Sequence, residues 1–208
     1  MTDQLQGLRA DLAFMKAVAS DDGRVPSLAG AHFLAAGLIY GLPVLLAWAI
    51  ERGLVDLPSA VGSTSGLWST AIYLPVMILL VIRGARHAGP VAGQTARAVL
   101  AAWSGVGLTT GVILFIILAA AHQLHAPQVW RVWPALCFTL YGAAWWGFAI
   151  FRRSPAWMLV ALGSYATAAL NGALIATPEL LLGCGLGLVL WVAGPGLALM
   201  LRARRAGA

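Results

Sequence analysis

Four polar side chains lie near the middle of long apolar stretches of this 208-residue chain, where they could bind a neutral molecule. They are Tyr40, Thr110, Tyr141 and Asn171. Each forms hydrogen bonds and none is charged at neutral pH. Their similar depth allows a small polar cavity, which Pro43, Pro75 and Pro195 would widen by kinking their helices. The alternative is that each bonds a neighbouring helix, at about 0.6 kcal/mol apiece.

Asn171 is the strongest of the four candidates. An amide in hydrocarbon has to satisfy two donated hydrogens and an acceptor oxygen. If it lines a cavity, water or solute meets that need. If it joins helices, its partner is another side chain or a backbone group.

The apolar stretches contain no Asp, Glu, Lys or Arg. Proton-coupled and ion-coupled transporters usually place such a residue within the membrane, so this class is disfavoured. The chain also lacks the H-E-x-x-H and G-x-S-x-G motifs, paired intramembrane aspartates and a phosphate-binding glycine loop. The sequence therefore predicts a non-enzymatic protein, with an intramembrane enzyme as the least favoured alternative.

Metal and cofactor sites find little support in the sequence. His122 and His125 are three residues apart and would share a face if their helix continued, so they are weak candidates for a metal pair. Histidines in loops beside a membrane are usually solvated, and we assign no metal site and no cofactor. Cys137 and Cys184 fall inside apolar stretches and are interpreted as small buried hydrophobic residues.

Six apolar runs carry these residues, and they predict transmembrane helices. The runs are Leu28–Ile50, Leu67–Ile82, Ala98–Ala121, Val132–Phe151, Ala156–Ala176 and Leu180–Leu201. A bilayer core needs about 20 apolar residues, and only the second run is clearly short. The chain is 61% hydrophobic and 10% charged, with a mean hydropathy of +0.86. We therefore predict an all-α, polytopic membrane helix bundle of six transmembrane helices arranged as three hairpins.

Basic residues predict the orientation of these helices. With the N-terminus and the C-terminus both in the cytoplasm, eleven of the thirteen basic residues lie on the cytoplasmic side of the inner (plasma) membrane. Only Arg52 and Arg131 lie on the opposite side. The formal net charge of +6 is thus spread over short clusters beside membrane lipids, and we predict no nucleic-acid binding.

The N-terminal segment predicts a different kind of helix. Leu5, Leu8, Leu12 and Met15 recur at steps of three and four residues and form one apolar stripe. We predict a short amphipathic cytoplasmic helix within residues 1–24, ahead of a transmembrane domain over 25–205. This helix could dock a soluble or membrane partner, or it could pack across the cytoplasmic end of its own bundle.

Small residues spaced four apart predict where helices pack closely. The motif occurs at Gly37–Gly41, Gly107–Gly111 and Ala168–Gly172, with a fourth instance at Gly183–Gly187. Small side chains let two backbones approach within a membrane, so we expect these faces to be packed. The first three motifs are compatible with a threefold duplication of one hairpin, and also with chance in glycine-rich helices.

The sequence favours a small membrane subunit, regulator or scaffold that meets a partner or anionic lipid on the cytoplasmic side. The partner would be a membrane protein, a cytoplasmic protein or a second copy of the chain. The alternative is a small uncoupled permease or channel-like carrier for a neutral solute, with Tyr40, Thr110, Tyr141 and Asn171 as its binding residues.

Overall fold

The computed structural model describes residues 27–87 and 94–207, and every regular element in these ranges is helical. The all-α prediction is confirmed for this part of the chain. The described α-helices are α1 (Ser27–Glu51), α2 (Ser59–Ser63), α3 (Ser65–His87), α4 (Gln94–Gln123), α5 (Trp133–Arg152), α6 (Pro155–Ala173), α7 (Glu179–Leu188) and α8 (Gly194–Gly207). A 3-10 helix over Pro127–Val132 precedes α5, and a π-helix over Val189–Ala193 joins α7 to α8.

Four segments are long and apolar enough to cross a membrane. They are Ala29–Glu51, Trp103–Gln123, Gln128–Arg152 and Glu179–Arg205. The other two predicted runs coincide with α3, whose apolar part over Ser65–Leu80 is shorter, and with the 19-residue α6. The amphipathic helix predicted within 1–24 lies outside the described residues.

Three of the helices end in the same way, with one residue in the left-handed conformation. Gly53, His125 and Arg153 have φ values of 67°, 48° and 45°. At each end the following amide donates to a carbonyl five residues back, as Leu54 N does to Ala49 O at 2.9 Å. This is the Schellman arrangement, which satisfies carbonyls that a helix end leaves unpaired. It stops α1, α4 and α5 sharply and lets the chain reverse.

A glycine seam holds α1 against α7 and α8. It consists of Gly30, Gly37 and Gly41 on α1 and of Gly185 and Gly196 opposite. A Cβ atom at Gly30 would stand 2.8 Å from the carbonyl oxygen of Gly196, and one at Gly41 would stand 3.2 Å from that of Gly185. The two backbones are therefore in direct contact, in the antiparallel sense, over the length of α1. The predicted packing at Gly37–Gly41 is confirmed.

Aromatic side chains form the core where α5, α6 and α8 meet. The indoles of Trp145 and Trp157 stack with ring centroids 5.3 Å apart, and Phe148 meets Trp157 edge-on at 4.9 Å. The small side chain of Ala161 is fully buried beside them, and the guanidinium of Arg202 lies 5.6 Å from the centre of the Trp157 ring. Rings of this size bury large apolar areas and favour such offset contacts, so this cluster anchors the α5–α6 pair.

The helices α3 and α4 are held more loosely. Within the described residues, α3 packs mainly on α1, α4 packs on α5, and α3 has at most marginal contact with α4. Among their described side chains, only Ser69 in α3 and Ile117 in α4 are buried.

Packing was also expected at Gly111 and Gly172, and there the prediction is wrong. Nothing lies within 4 Å of the position that a Cβ atom would take at Gly107, Gly111 or Gly172. The reason is topological, because no other described helix approaches these faces of α4 and α6. By contrast, Gly183 and Gly187 pack within the chain, against Asn171 and Phe138, as expected of an intramolecular face.

Candidate functional site

Tyr40 faces α3 from the middle of α1. Its hydroxyl donates to Thr70 Oγ1 over 3.3 Å, and Thr70 in turn donates to the Gly66 carbonyl at 2.9 Å. The ring of Tyr40 meets that of Tyr73 edge-on, with centroids 5.3 Å apart. The long bond to Thr70 is weak and leaves the phenol oxygen able to accept a further hydrogen bond.

Tyr141 lies on α5, and its ring meets those of Trp103 on α4 and Phe138 on α5, with centroids 6.1 and 5.9 Å apart. Its side chain is close enough to those of Cys137, Cys184, Tyr40 and Tyr73 to interact with them electrostatically. Tyr40 and Tyr141 therefore lie within electrostatic range of each other, and that they bind a molecule together stays a prediction. Tyr73 and the two cysteines lie within the same range of Tyr141, although the sequence did not single them out as binding residues.

Thr110 contributes a buried hydroxyl from α4. Its Oγ1 atom has no hydrogen-bond partner, although a threonine in a helix commonly bonds the carbonyl one turn back. An unpaired polar atom in such a place costs about 1–3 kcal/mol, which makes it unusual. This hydroxyl can therefore donate to, or accept from, a molecule that reaches it.

Asn171 lies in the interface between α6 and α7. It is fully buried, and its Oδ1 atom stands 2.5 Å from the position that a Cβ atom would take at Gly183. Neither Oδ1 nor Nδ2 has a hydrogen-bond partner within the protein. The amide is thus enclosed by packing and bonds no neighbouring helix.

A relay of two indoles links three helices, and sequence reasoning did not predict it. Trp145 Nε1 donates to the carbonyl oxygen of Trp191 at 3.1 Å, and Trp191 Nε1 donates to Thr167 Oγ1 at 2.9 Å. Pro195 has no N–H with which to bond the Trp191 carbonyl four residues earlier, and the π-helix lies at this point. The spacing between Trp191 and Pro195 was the available signal, because proline frees a carbonyl one turn before itself.

The weak metal candidates do not share a helix face. Helix α4 ends at Gln123, and His125 adopts the left-handed conformation beyond it. Both His122 and His125 are exposed, and within 27–87 and 94–207 no group of three or more potential metal ligands occurs. The condition under which these two residues could hold a metal together is therefore not met.

Arg52 and Arg131, the two basic residues predicted on the external side, both have partners in the structure. Arg52, after α1, forms an ion pair with Glu179 at the start of α7. Arg131 donates from Nη1 to the carbonyl oxygen of Ile175 at 3.2 Å. Both contacts reach the segment between α6 and α7, so each arginine ties another connection of the chain to it.

Among the described side chains, those that interact with Tyr141 electrostatically are phenols and thiols. Such a set can orient a neutral molecule through hydrogen bonds, but it provides no positioned acid or base for proton transfer. Compared with protein-family models, with curated proteins and with solved structures, the chain gives no match.

Proposed function

We propose that the protein is a multi-pass inner-membrane protein with six transmembrane helices and both termini in the cytoplasm. The 23-residue α3 and the 19-residue α6 would supply the two spans beyond the four apolar segments. Antiparallel packing supports this topology, since α5 pairs with α6 and α1 pairs with α7 and α8. The eleven-to-two distribution of basic residues supports the orientation.

Reporter fusions test this topology directly. A reporter fused after Ala208, or inserted between Gly84 and Thr95, is expected to be active on the cytoplasmic side. One inserted near Ser63 or Ala126 is expected to be active outside. Cytoplasmic activity at Ser63 would contradict the six-span arrangement, because α1 would then not carry the chain from the cytoplasm to the outside.

Within that topology, we propose that the protein is a non-enzymatic membrane subunit, regulator or scaffold. The observation that supports this role is the uneven burial of its helices. Of the most apolar 18-residue stretch within Trp103–Gln123 in α4, only 6% is buried, compared with 44% of the corresponding stretch within Glu179–Arg205. Helices α3 and α4 are therefore free to contact another membrane protein on several sides.

The glycines of α4 give this surface a shape that suits a helix. Gly107 and Gly111 repeat the spacing of Gly37 and Gly41, but no backbone covers them. Small residues at this spacing allow the close approach on which helix association in lipid depends. The exposed arginines Arg204 and Arg205 at the end of α8 would meet anionic lipid headgroups on the cytoplasmic side.

Site-specific photocrosslinking in native membranes tests the proposed partner surface. A photoreactive phenylalanine analogue at Phe115 on α4, which is 73% exposed, is expected to capture a discrete protein. The matched control is the same analogue at Phe151 on α5, which is 70% exposed. Mass spectrometry of the adduct separates a second copy from another protein. Capture of lipid alone at both positions would contradict the proposal.

A small uncoupled carrier for a neutral solute is the second candidate function. The observation in its favour is that the side chains of Tyr40, Tyr73 and Tyr141 lie within electrostatic range of one another. Flux of a neutral solute into liposomes that contain the purified protein alone would support the carrier. Empty and protein-containing liposomes that leak equally would leave the subunit or scaffold function as the proposal.

A further inference from the structure

Arginine residues gather where α5 turns into α6 and where α8 ends. Arg153 lies in the turn between α5 and α6, Arg202 and Arg205 lie near the end of α8, and all three are exposed. A ring contact joins the two groups, because the Arg202 guanidinium lies 5.6 Å from the centre of the Trp157 ring. Trp157 follows Arg153 by four residues, which span at most about 14 Å of backbone. The three arginines thus form one basic cluster at the start of α6.

The described carboxylates all lie at the other end of the bundle. The acidic residues within 27–87 and 94–207 are Glu51, at the end of α1, Asp56, which follows α1, and Glu179, at the start of α7. The basic cluster lies instead beside the start of α1, where a Cβ atom at Gly30 would stand 2.9 Å from Cγ of Met200 on α8. In the part of the chain that the structure describes, no acidic side chain offsets the repulsion among these arginines. An anion that binds between them would be stabilised.

Trp157 holds Arg202 in a way that suits recognition of a phosphate. The indole is only 3% exposed and packs against Trp145 and Phe148, so it gives the guanidinium a fixed support. Attraction to an aromatic ring engages the positive charge and does not consume the N–H donors. A planar guanidinium can donate two parallel hydrogen bonds to two oxygens of one phosphate. Arg202 is therefore a positioned phosphate donor.

Apolar side chains beside the cluster suit the rest of a phospholipid. Phe151 lies two residues before Arg153, Leu201 directly precedes Arg202, and both apolar side chains are exposed. In a membrane such side chains contact acyl chains, while a tryptophan near the end of a span lies at the level of the headgroups. A free phosphate would use the arginines alone, whereas a phospholipid uses the arginines and the apolar surface next to them.

We propose that Arg153, Arg202 and Arg205 bind the phosphate of an anionic phospholipid, with Trp157 as the support that positions Arg202. This site deepens the contact proposed above between the end of α8 and anionic lipid, and it rests on the proposed function for the leaflet in which the lipid lies. Arg205, three residues after Arg202, shares its face of α8, while Arg204 lies on a different face. A choline headgroup does not match the cluster, because it would bring a second cation to it.

Native mass spectrometry of the full-length protein in detergent tests the site, because it counts bound lipid molecules. Dioleoylphosphatidylglycerol is titrated, and dioleoylphosphatidylcholine is the comparison lipid, with the same chains and no net charge. We expect the first phosphatidylglycerol to bind about ten-fold more tightly than the first phosphatidylcholine. Arg202→Gln should weaken the binding of phosphatidylglycerol about five-fold and leave that of phosphatidylcholine unchanged.

The matched control is Arg204→Gln, which removes the same charge two residues away on a different face of α8. It should weaken the binding of phosphatidylglycerol by less than about two-fold, because a charge outside the site acts only through screened attraction. Arg202 and Arg204 are both exposed, so both variants should fold, and thermal melts check this.

Three outcomes would overturn the proposal. Equal binding of the two lipids would show that the headgroup charge is not recognised. Equal losses in Arg202→Gln and Arg204→Gln would show a diffuse attraction without a site. Displacement of the lipid by an equal concentration of inorganic phosphate would make free phosphate the ligand. Because a detergent micelle has no two sides, these outcomes are independent of the topology and of the partner surface on α4.

Discussion

The helices α1, α5, α6, α7 and α8 form a tightly packed half of the molecule, while α3 and α4 form a loosely packed half. In the first half, glycines let backbones come into contact, and large rings fill the remaining space. Gly163 leaves room in this way for the indole of Trp191. In the second half, apolar side chains such as Leu79 and Leu108 remain exposed. Both halves have the composition of membrane helices, so the difference between them comes from shape.

The difference shows what decides whether a membrane helix packs within its own chain. Close approach of two backbones decides it, and the hydrophobicity of the helix does not. Lipid solvates exposed leucines as well as a protein interior does, so burial of leucine gives little drive for packing there. Small residues act differently, because they stabilise only when a second backbone comes close. A second backbone lies close to the glycine seam on α1. None of the described helices comes close to Gly107 and Gly111 on α4.

The largest effect is expected where a side chain is forced into the glycine seam. Gly37→Leu should destabilise the protein by about 3 kcal/mol, because a Cβ atom there would collide with the backbone of Ala193 and Leu188. Gly111→Leu, on the open face of α4, should leave stability unchanged or raise it slightly, since leucine is the better helix former. Thermal melts in the same detergent measure both. Equal losses in the two variants would mean that the halves do not differ in packing.

The positions of the helices could be predicted from the sequence, because the length of an apolar run is a local property. The predicted run Val132–Phe151 and the observed α5, Trp133–Arg152, differ by one residue at each end. The pairing of helix faces could not be predicted in this way. Gly37–Gly41 and Gly107–Gly111 have the same spacing, yet only the first motif finds a partner helix, and that partner lies about 150 residues away in the chain.

The candidate site shows the same division between what is local in the sequence and what depends on the pairing of helix faces. Counting residues predicts equal depth for Tyr40 and Tyr141, and their side chains lie within electrostatic range of each other. Rotation about the helix axis cannot be counted in this way, and it turns the Asn171 amide towards Gly183. The hydrogen bond to Thr167 could not be predicted from local sequence, because its donor, Trp191, lies 24 residues further along the chain.

The next effect in size concerns the indole relay within the tight half. Thr167→Val removes the acceptor of the Trp191 Nε1 hydrogen bond and leaves a partly buried donor unpaired. The expected loss is about 1–2 kcal/mol. Thr139→Val is the control, because the Thr139 hydroxyl is exposed and bonds only the Ala135 carbonyl of its own helix. Equal melting temperatures for the two variants would show that the relay does not contribute to stability.

A smaller effect is expected at Asn171, in spite of its complete burial. In Asn171→Ala, the loss of packing against Gly183 opposes the removal of an amide that has no partner in the protein. These terms should nearly cancel and leave a net change below about 1 kcal/mol. A loss well above this value, measured by the same melts, would mean that the amide is bonded in the membrane and that Asn171 connects α6 to another group.

The smallest effect is expected for the ion pair between Arg52 and Glu179, although it joins two helices of the tight half. The Arg52 side chain is 47% exposed and that of Glu179 is 31% exposed, so water and salt screen their attraction. A double-mutant cycle with Arg52→Gln and Glu179→Gln should give a coupling energy of about 0.5 kcal/mol or less. That energy should shrink further at high salt. A coupling several times larger and independent of salt would show that charge at the membrane surface, as well as the glycine seam, holds α1 against α7.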